Sequence, residues 1–355
     1  MFVIVSDLHL GCGDELEDFL RWGEERSGPP THLRLRARLE LDELFARFLV
    51  LKMAHARSAG LLPTLILLGD IFDFWQTQRR RERPHRTLER LLSAHVGVRV
   101  ALQDWLAAGG DVEFVAGAHD RPVLDTRAWA FLRDTFPGIN ASNGGKPRLT
   151  YVNEAVGLHA EHGSRLSPYH RMGTRWTPSA TCTGREIVRR VLAPLEPMLP
   201  WVDKAVRVAD VVRLLQADAD ASLRREAFRA LAGGLRASSF LLRVLAPWLE
   251  GGLADWHRLA DREEAAGKLG LRRLQALGHR RFVATGHTHA AHRVLKPGAP
   301  ELLSPGAWKP TLRFDDGQTP RIEQPLGYVQ LIPDGAGGWE SSVHAWADEA
   351  ENSPT

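Results

Sequence analysis

The sequence predicts a layered α/β fold, and three observations carry that prediction. Short apolar segments rich in β-branched residues recur along the chain, as buried strands require. Longer stretches with helical periodicity separate the first three of these segments. Most of the segments end in Gly, Asp or His, at the point where open α/β sheets gather ligand groups. The predicted strands are residues 2–6, 64–68, 112–116, 155–159 and 281–285.

Two long helices are predicted between the first strands. Residues 35–59 place apolar side chains at a spacing of about 3.6 residues, and residues 87–108 continue the helical pattern. After the fifth strand, two further β-like segments, at 300–303 and 328–332, suggest a second sheet. The sequence therefore predicts helices packed against sheet layers.

The chain changes character in its middle third. From 164 to 278, strand signals disappear and Ala/Leu/Arg-rich helical stretches appear, interrupted by several prolines. We interpret residues 164–278 as a helical insertion that acts as a lid or specificity region. Residues 1–163 and 279–347 then form the core, and residues 348–355 a flexible tail.

The composition narrows the class of protein. With 355 residues, of which 44% are hydrophobic, the chain can bury a substantial core. No apolar run approaches the roughly 20 residues that span a bilayer. Two cysteines cannot build a disulfide framework, so we expect a cytoplasmic protein. The net charge of +3 is small, although arginine clusters can attract anions or form solvated helix faces.

Metal-binding chemistry is indicated by Asp and His residues that follow the predicted strands. Asp7 and His9 alternate at a strand end, so both side chains can face one divalent ion. His287 and His289 repeat this spacing far along the chain, and Asp70 ends the second strand, where it can bridge two ions. A mixed Asp/His set suits Mn, Fe, Zn or related ions about 3.5–4 Å apart, the spacing of two-metal hydrolases.

Four short motifs occur in an order that resembles the calcineurin-like metallophosphoesterases, whose pattern is D-x-H, G-D, G-N-H-D, H-G and G-H-x-H. The resemblance covers residues 1–163 and the chain from 281 onwards, and it leaves the insertion unexplained. It implies a double β-sheet sandwich flanked by helices. The motifs are SDLHLG at 6–11, GDIFDFW at 69–75, GAHD at 117–120 and GHTH at 286–289.

The resemblance implies two divalent ions, with Mn expected first and Fe, Zn or Ni as alternatives. His159 and His162 both compete for the H-G position, and the pairing with Gly163 selects His162. His119 is implied to contact the phosphate and assist the leaving group, with Asp120 orienting it. Carried over residue by residue, one ion is held by Asp7, His9 and His289, the other by His162 and His287, and Asp70 bridges them.

Ala118 departs from the family pattern, which has Asn at this position as a ligand to the second ion. A methyl group has no lone pair, so we expect a weakened site and a large loss of turnover. Because every other ligand is kept, we interpret Ala118 as an introduced Asn-to-Ala change rather than natural divergence.

Within this resemblance, the motif GDIFDFW is most similar to the corresponding motif of UDP-2,3-diacylglucosamine hydrolases, and Asp73 and Trp75 carry that similarity. That family usually has Arg where this chain has His119, and its lid is shorter, so the resemblance does not extend to the substrate. We expect a phosphorylated substrate, linked to a nucleotide or a lipid, with nucleic acid and peripheral membrane contact as open alternatives. The candidate substrate-binding residues are Arg121, Arg165, His170 and Arg171.

These observations predict a hydrolase that cleaves a phosphodiester or pyrophosphate bond through a metal-bridging hydroxide, impaired in this copy by Ala118. A metal-dependent nuclease is the alternative enzyme, although the sequence shows no continuous run of basic and stacking residues. A noncatalytic phospholigand-binding or scaffold protein is the third hypothesis. In that case Ala118 is native and the insertion recruits a partner.

Overall fold

The computed structural model describes residues 1–13, 18–19, 38–79, 81–166, 279–315 and 319–346, with Arg185, Val188, Arg189, Ala193, Lys204 and Leu277 as single residues. In chain order the strands are β1 (Phe2–Val5), β2 (Thr64–Leu68), β3 (Asp111–Val115), β4 (Thr150–Asn153), β5 (Leu158–Glu161), β6 (Phe282–Thr285), β7 (Ala291–Val294), β8 (Glu301–Pro305), β9 (Thr311–Asp315), β10 (Thr319–Glu323), β11 (Gly327–Pro333) and β12 (Trp339–Ala345). The α-helices are α1 (Arg38–Ser58), α2 (Phe74–Thr77), α3 (Pro84–Ala94), α4 (Val96–Ala107) and α5 (Thr126–Thr135).

The first sheet is built around three parallel strands. Its order is β12-β11-β1-β2-β3, with β1, β2 and β3 parallel and the two C-terminal strands antiparallel. The β-like segment at 328–332 forms within β11, where Leu331 lies opposite Phe2 of β1. The expectation that this segment belongs to the second sheet was therefore wrong. β11 pairs with β1 along the edge opposite β2, and this pairing brings the C-terminal part of the chain back to the first sheet.

The second sheet has the order β4-β5-β6-β8-β7. Its three central strands, β5, β6 and β8, are parallel, and the two edge strands are antiparallel. The strand predicted at 155–159 starts later, at Leu158, because the residues before it form the turn of the β4–β5 hairpin. Gly157 takes a positive φ of 70° in that turn, a conformation that glycine adopts without steric cost.

The apolar core lies between the two sheets and on the helical face of the first sheet. Successive residues of a strand point to opposite faces, and the apolar runs of β1 and β2 are buried on both sides. One face packs on the second sheet through Phe2, Ile4, Ile66, Leu68, Val115, Leu158, Ala160, Phe282, Ala284 and Leu303. The other face packs on the helices through Val3, Val5, Leu65, Leu67, Phe114, Phe45, Phe48, Leu88, Leu91 and Leu102. This arrangement confirms the predicted α/β sandwich flanked by helices.

The helices follow the predicted patterns with one interruption. The pattern at 35–59 contains α1, whereas the pattern at 87–108 divides into α3 and α4. His95 separates them with φ −114° and ψ 62°, outside the helical region. Its ring Nδ1 lies 2.8 Å from Asp42 Oδ1 on α1, so a buried tertiary hydrogen bond accompanies the break. Apolar periodicity continues across a break of this kind, which explains why the sequence predicted one helix.

The domain boundaries stay a prediction. Nearly all of the proposed insertion at 164–278, and the tail at 348–355, lie outside the described residues. Among the helices that the structure describes, none has both the length and the apolarity to cross a membrane.

Candidate metal centre

The motif residues meet where strands of both sheets end. Asp7 and His9 follow β1, and Asp70 follows β2 in the first sheet. His162 and His287 follow the parallel neighbours β5 and β6 in the second sheet. Parallel strands present their carboxyl ends at one edge, so this topology collects side chains from distant parts of the sequence.

The loops that carry the ligands have an unusual backbone. Asp7, His9, Asp70, His287 and His289 have φ values between 50° and 68°, in the left-handed region. Non-glycine residues occupy this region at a cost of about 1 kcal/mol or more each, and such residues cluster at functional sites. Hydrogen bonds between the loops hold two of these turns, from Asp7 N to Gly69 O at 3.0 Å and from His9 N to Asp70 O at 2.9 Å.

Two glycines allow the ligand loops to approach each other. A Cβ atom on Gly117 would lie 2.3 Å from Asp70 Oδ1, and one on Gly69 would lie 2.5 Å from Cγ of His162. Both distances are far shorter than van der Waals contact, so any side chain would push the ligands apart. The Gly residues of GDIFDFW and GAHD are therefore part of the geometry of the centre.

Among the described residues, three groups of side chains have the spacing of metal ligands, and two of them consist of predicted ligands. The first group is Asp7, His9 and His289, and the second is Asp70, His162 and His287; in each, the ligand atoms lie within 4.8 Å of one another. The groups touch, because His162 Nε2 lies 3.2 Å from Asp7 Oδ1 and 3.3 Å from Asp70 Oδ2. We call them the first and second ligand groups.

The donors in these groups fit divalent ions. Nε2 of His9 is buried and has no hydrogen-bond partner among the described residues, although it belongs to the first ligand group. A buried polar atom without a partner is costly, and coordination of an ion would satisfy it. Carboxylate oxygens combined with imidazole nitrogens suit Mn, Fe, Zn and similar ions.

The electrostatics of the centre also favour cations. Burial raises the pKa of the Asp7 carboxyl, but the imidazoles of His289 and His162 outweigh burial and hold that pKa well below its usual value. Burial also acts to raise the pKa of Asp70, yet the nearby histidines lower it to about 2. In return, burial acts to lower the pKa of His162, whereas Asp70 and Asp7 raise it to about 9. The two carboxylates are thus ionised and attract positive charge.

Asp73 joins a metal-site histidine to the expected catalytic histidine. Its Oδ1 lies 2.9 Å from Nδ1 of His119, and its Oδ2 lies 3.4 Å from Nδ1 of His9. The same carboxylate accepts hydrogen bonds from the amides of Trp75 and Gln76 at the start of α2. Although His9, Asp73 and His119 also have metal-ligand spacing, these amide contacts fix Asp73 as an orienting group between two imidazoles. Sequence reasoning valued Asp73 only as part of GDIFDFW and missed this role.

Asp120 does not make the contact that the sequence analysis expected. Its carboxylate accepts hydrogen bonds from the backbone amides of Phe72 at 2.7 Å, Gly117 at 3.0 Å and Ile71 at 3.2 Å. Asp120 therefore ties the GAHD loop to the GDIFDFW loop, while Asp73 is the carboxylate at Nδ1 of His119. The correction has a simple reason, since proximity in sequence does not determine which way a side chain points in a turn.

His119 lies at the open side of the centre. Its side chain is 12% exposed, whereas His9 and Asp7 are almost fully buried. The ring stacks on Trp75 with centroids 4.0 Å apart, and its backbone amide donates to Asp70 Oδ1 at 2.8 Å. Burial acts to lower the pKa of His119, but Asp73 and Asp70 raise it above its ordinary value.

Ala118 is buried in an apolar contact. Its methyl group packs with Trp75 and with the partly buried Val188. The side chain of Ala118 has no polar atom, so among the described residues the second ligand group consists of Asp70, His162 and His287.

Of the other residues that the sequence analysis considered, some lie near the ligand groups in sequence and others lie outside the described residues. His159 lies 3.6 Å from Glu161 and belongs to neither ligand group. Arg121 is partly buried just after GAHD, and Arg165 is exposed after His162. His170 and Arg171 lie outside the described residues.

Comparisons with known proteins add little to this geometry. No protein-family model matches the sequence, and no curated protein matches it. Among solved structures, the chain is similar to a dimetal phosphatase from Danio rerio, with 15% identity over 86% of this chain and 87% of that one, at a TM-score of 0.35. A likeness this loose carries no argument about activity.

Proposed function

We propose that this protein is a phosphoesterase that depends on two divalent metal ions and hydrolyses a phosphodiester or pyrophosphate bond. The observation that carries the proposal is the pair of adjoining Asp/His groups at the strand ends, with a carboxylate-held histidine at their open side. The left-handed backbone at five of these positions adds support, because residues in strained conformations cluster at functional sites. Two divalent ions bound here would supply Lewis-acid activation of water and neutralise charge on the phosphoryl oxygens.

The chain's own residues supply positioning and proton transfer. Asp7, His9 and His289 would hold one ion, His162 and His287 the other, and Asp70 would lie between them. Asp73 is placed to accept the Nδ1 hydrogen of His119, which leaves Nε2 as the ring nitrogen for a ligand. A protonated Nε2 can donate to the leaving oxygen, and Asp73 and Asp70 favour that protonated form because they raise the pKa of His119 against the opposing effect of burial.

Ala118 is the reason to propose that this copy is impaired. The second ligand group has three protein ligands, and the position where the family has an amide oxygen is apolar. We expect weaker binding of the second ion and low turnover. The interpretation of Ala118 as an introduced change stays a hypothesis, and the codon in the source gene decides it.

A noncatalytic phospholigand-binding protein is the second candidate, favoured by the same buried Ala118. In that case restoring the amide has no effect on catalysis. A nuclease is a narrower form of the first proposal, and the choice of substrate separates the two.

The test is hydrolysis by the Ala118→Asn variant with added Mn. The panel contains bis(p-nitrophenyl) phosphate, a UDP-linked lipid, a dinucleotide pyrophosphate, and single- and double-stranded DNA. We expect turnover of at least one phosphodiester or pyrophosphate by the Asn variant and little by the Ala form. Phosphate binding without hydrolysis of any panel member, by either form, would contradict the enzyme proposal and support the noncatalytic candidate.

A further inference from the structure

The loop between α2 and α3, together with α3 itself, carries a concentrated positive charge. Residues 78–90 contain six arginines and two glutamates, so their net charge of +4 exceeds the net charge of +3 of the whole chain. Arg80 lies outside the described residues, and the other five arginines are described. Arginine clusters either attract anions or only form solvated faces, and the contacts of this cluster separate the two cases.

Both glutamates of this stretch are already paired within it. The carboxylate of Glu82 accepts hydrogen bonds from Nε of Arg90 at 3.1 Å, from Nη2 of Arg90 at 2.9 Å and from Oγ1 of Thr87 at 2.9 Å. Glu89 lies 2.8 Å from Nη1 of Arg86. Two of the arginines are therefore neutralised locally.

Arg79, Arg81 and Arg83 keep their charges unpaired. All three are exposed, and no carboxylate of the described residues lies within ion-pairing distance of them. Arg83 is also the N-cap of α3, which has no side-chain cap and no acidic residue in its first turn. The positive end of that helix adds to the same potential. Three guanidinium groups thus face solvent and can meet an anionic ligand.

Hydrogen bonds fix the shape of the loop that carries these groups. The amide of Arg79 donates to Glu82 Oε2 at 3.1 Å, and the amide of Glu82 donates back to the carbonyl oxygen of Arg79 at 3.1 Å. Nε2 of Gln78 donates to the carbonyl oxygen of Glu82 at 3.1 Å. Arg81 has a left-handed φ of 66° inside this turn. A loop that is ordered in advance loses less entropy when a ligand binds.

The loop is joined to the open side of the metal centre. Trp75 of α2 stacks on His119 with ring centroids 4.0 Å apart. Arg79 follows Trp75 by four residues, so their Cα atoms lie at most about 14 Å apart. Nη2 of Arg90 donates to the carbonyl oxygen of Thr77 at 2.9 Å, which ties α3 to the end of α2. A ligand at His119 therefore lies within about four residues' reach of the unpaired arginines.

We propose that Arg79, Arg81 and Arg83 form an exosite for the phosphate backbone of a nucleic-acid strand whose scissile phosphate lies at the metal centre. The inference rests on the proposed function and narrows its substrate class. One guanidinium fork binds one phosphate through paired hydrogen bonds, so three exposed forks fit a chain of phosphates better than a single group. A strand carries one charge about every 3.4 Å, so a distance of about 14 Å corresponds to about four nucleotides.

A nucleic acid fits this segment better than an anionic membrane surface does. Helices that lie on membranes combine basic side chains with apolar ones that enter the lipid. The large apolar residues that are exposed in the described chain, among them Val50, Val96 and Leu295, all lie outside residues 78–90. Contact through arginine and phosphate alone predicts binding that is independent of base sequence and weakens steeply with salt.

The direct test is fluorescence anisotropy of a labelled oligodeoxythymidine with the full chain, in EDTA so that the strand stays intact, over a range of salt concentrations. In Arg79→Gln/Arg81→Gln/Arg83→Gln we expect binding to weaken at least about tenfold and the slope of log affinity against log salt to fall by about 2, since each phosphate contact contributes about 0.7. The corresponding triple Lys variant keeps the charges and should retain most of the slope. Equal affinity and slope in the parent protein and the folded Gln variant, or no binding by the parent protein, would overturn the exosite.

Three other exposed arginines provide a matched control. Arg47 and Arg57 lie on α1 and Arg133 lies on α5, so changing all three to Gln removes the same net charge from other surfaces. This control variant should keep an affinity close to that of the parent protein. If it weakens oligonucleotide binding as much as the loop variant does, only net charge matters and there is no exosite.

Two further ligands identify the source of the phosphates. A duplex of the same length shows whether one strand or a double helix is preferred, and either preference supports the exosite when it depends on the three arginines. Phosphatidylserine vesicles test the membrane alternative. Vesicle binding that the loop variant loses, while oligonucleotide binding stays unchanged, would overturn the proposal.

Hydrolysis separates the exosite from the proposed activity. In the Ala118→Asn background, the loop variant should lower kcat/KM for the oligonucleotide more than for bis(p-nitrophenyl) phosphate, which is too small to span both places. Oligonucleotide binding that depends on the arginines without hydrolysis of any substrate would support the exosite and contradict the phosphoesterase. Hydrolysis of bis(p-nitrophenyl) phosphate with oligonucleotide binding indifferent to the arginines would do the reverse.

Discussion

The two ligand groups use the same residue types, and the described residues make polar contacts with both, but their surroundings differ at position 118. In the first, Asp7 Oδ2 accepts hydrogen bonds from Ser6 Oγ at 2.6 Å and from the amide of His287 at 3.0 Å. Asp73 Oδ2 likewise lies 3.4 Å from Nδ1 of His9. In the second, the methyl group of Ala118 faces Trp75 and Val188 where a donor atom is expected. The comparison singles out one side chain, at position 118, as the proposed source of asymmetry between two groups that otherwise have the same residue types.

Removing the carboxylate between the groups should have the largest effect. Asp70→Asn removes the carboxylate charge of the second ligand group. We expect Mn affinity to fall at least about 100-fold, more than the loss typical of residues that only hydrogen-bond to the ligands. Metal analysis after dialysis and calorimetric titration measure the change. Asp42→Asn is the control, since Asp42 is also buried and bonded to a histidine, His95, but belongs to neither group. Equal Mn content in the two variants would contradict the assignment.

Asp73→Asn should have the second-largest effect on Mn binding, because it disturbs the first ligand group without removing a member of that group. An asparagine cannot accept hydrogen bonds through both side-chain atoms, so His9 or His119 loses its partner. We expect about 10- to 100-fold weaker Mn binding, together with a lower kcat in the Ala118→Asn background. Unchanged Mn affinity would mean that Asp73 does not orient His9.

Ala118→Asn should reduce the asymmetry between the groups. The new amide oxygen gives the second group a fourth protein ligand, and about tenfold tighter binding of the second Mn corresponds to about 1.4 kcal/mol. Without metal, the amide lies against apolar side chains and should cost about 1–3 kcal/mol of stability. Thermal unfolding with and without Mn measures both effects, which have opposite signs. If Mn raises the unfolding midpoint of Ala118→Asn by no more than it raises that of the Ala118 protein, residue 118 does not ligate the ion.

His159→Asn should have the smallest effect, since His159 lies outside both ligand groups. Mn stoichiometry should stay within experimental error of the wild type, whereas His162→Asn should lose the second ion. If His159→Asn loses an ion instead, the choice of His162 from the H-G pairing is wrong. The same metal analysis serves both variants.

Much of the fold followed from local patterns, because buried strands leave continuous apolar runs. The runs at 2–6 and 64–68 correspond to β1 and β2, and the strand-end positions of Asp7, His9 and Asp70 follow from them. The interruption at His95 depends on a hydrogen bond to α1 that no local pattern contains. The placement of β11 beside β1 likewise depends on pairing over more than 300 residues of sequence separation.

The residues predicted as ligands lie close together in the structure, but the sequence did not predict how the chain holds them there. Alternation along a strand was expected to turn Asp7 and His9 to one side, whereas left-handed turns after β1 carry both residues. The partner of His119 proved to be Asp73, 46 residues away, rather than the adjacent Asp120.

The left-handed turns at five ligand positions have a consequence for protein design. The four motifs copied onto another scaffold would carry the donor atoms but would miss their directions unless the recipient loops already hold positive φ at the same places. Transplanting this centre therefore means transplanting main-chain shape first and side chains second. A recipient chosen by loop geometry, with unrelated side chains, is a better starting point than one chosen by similarity of sequence.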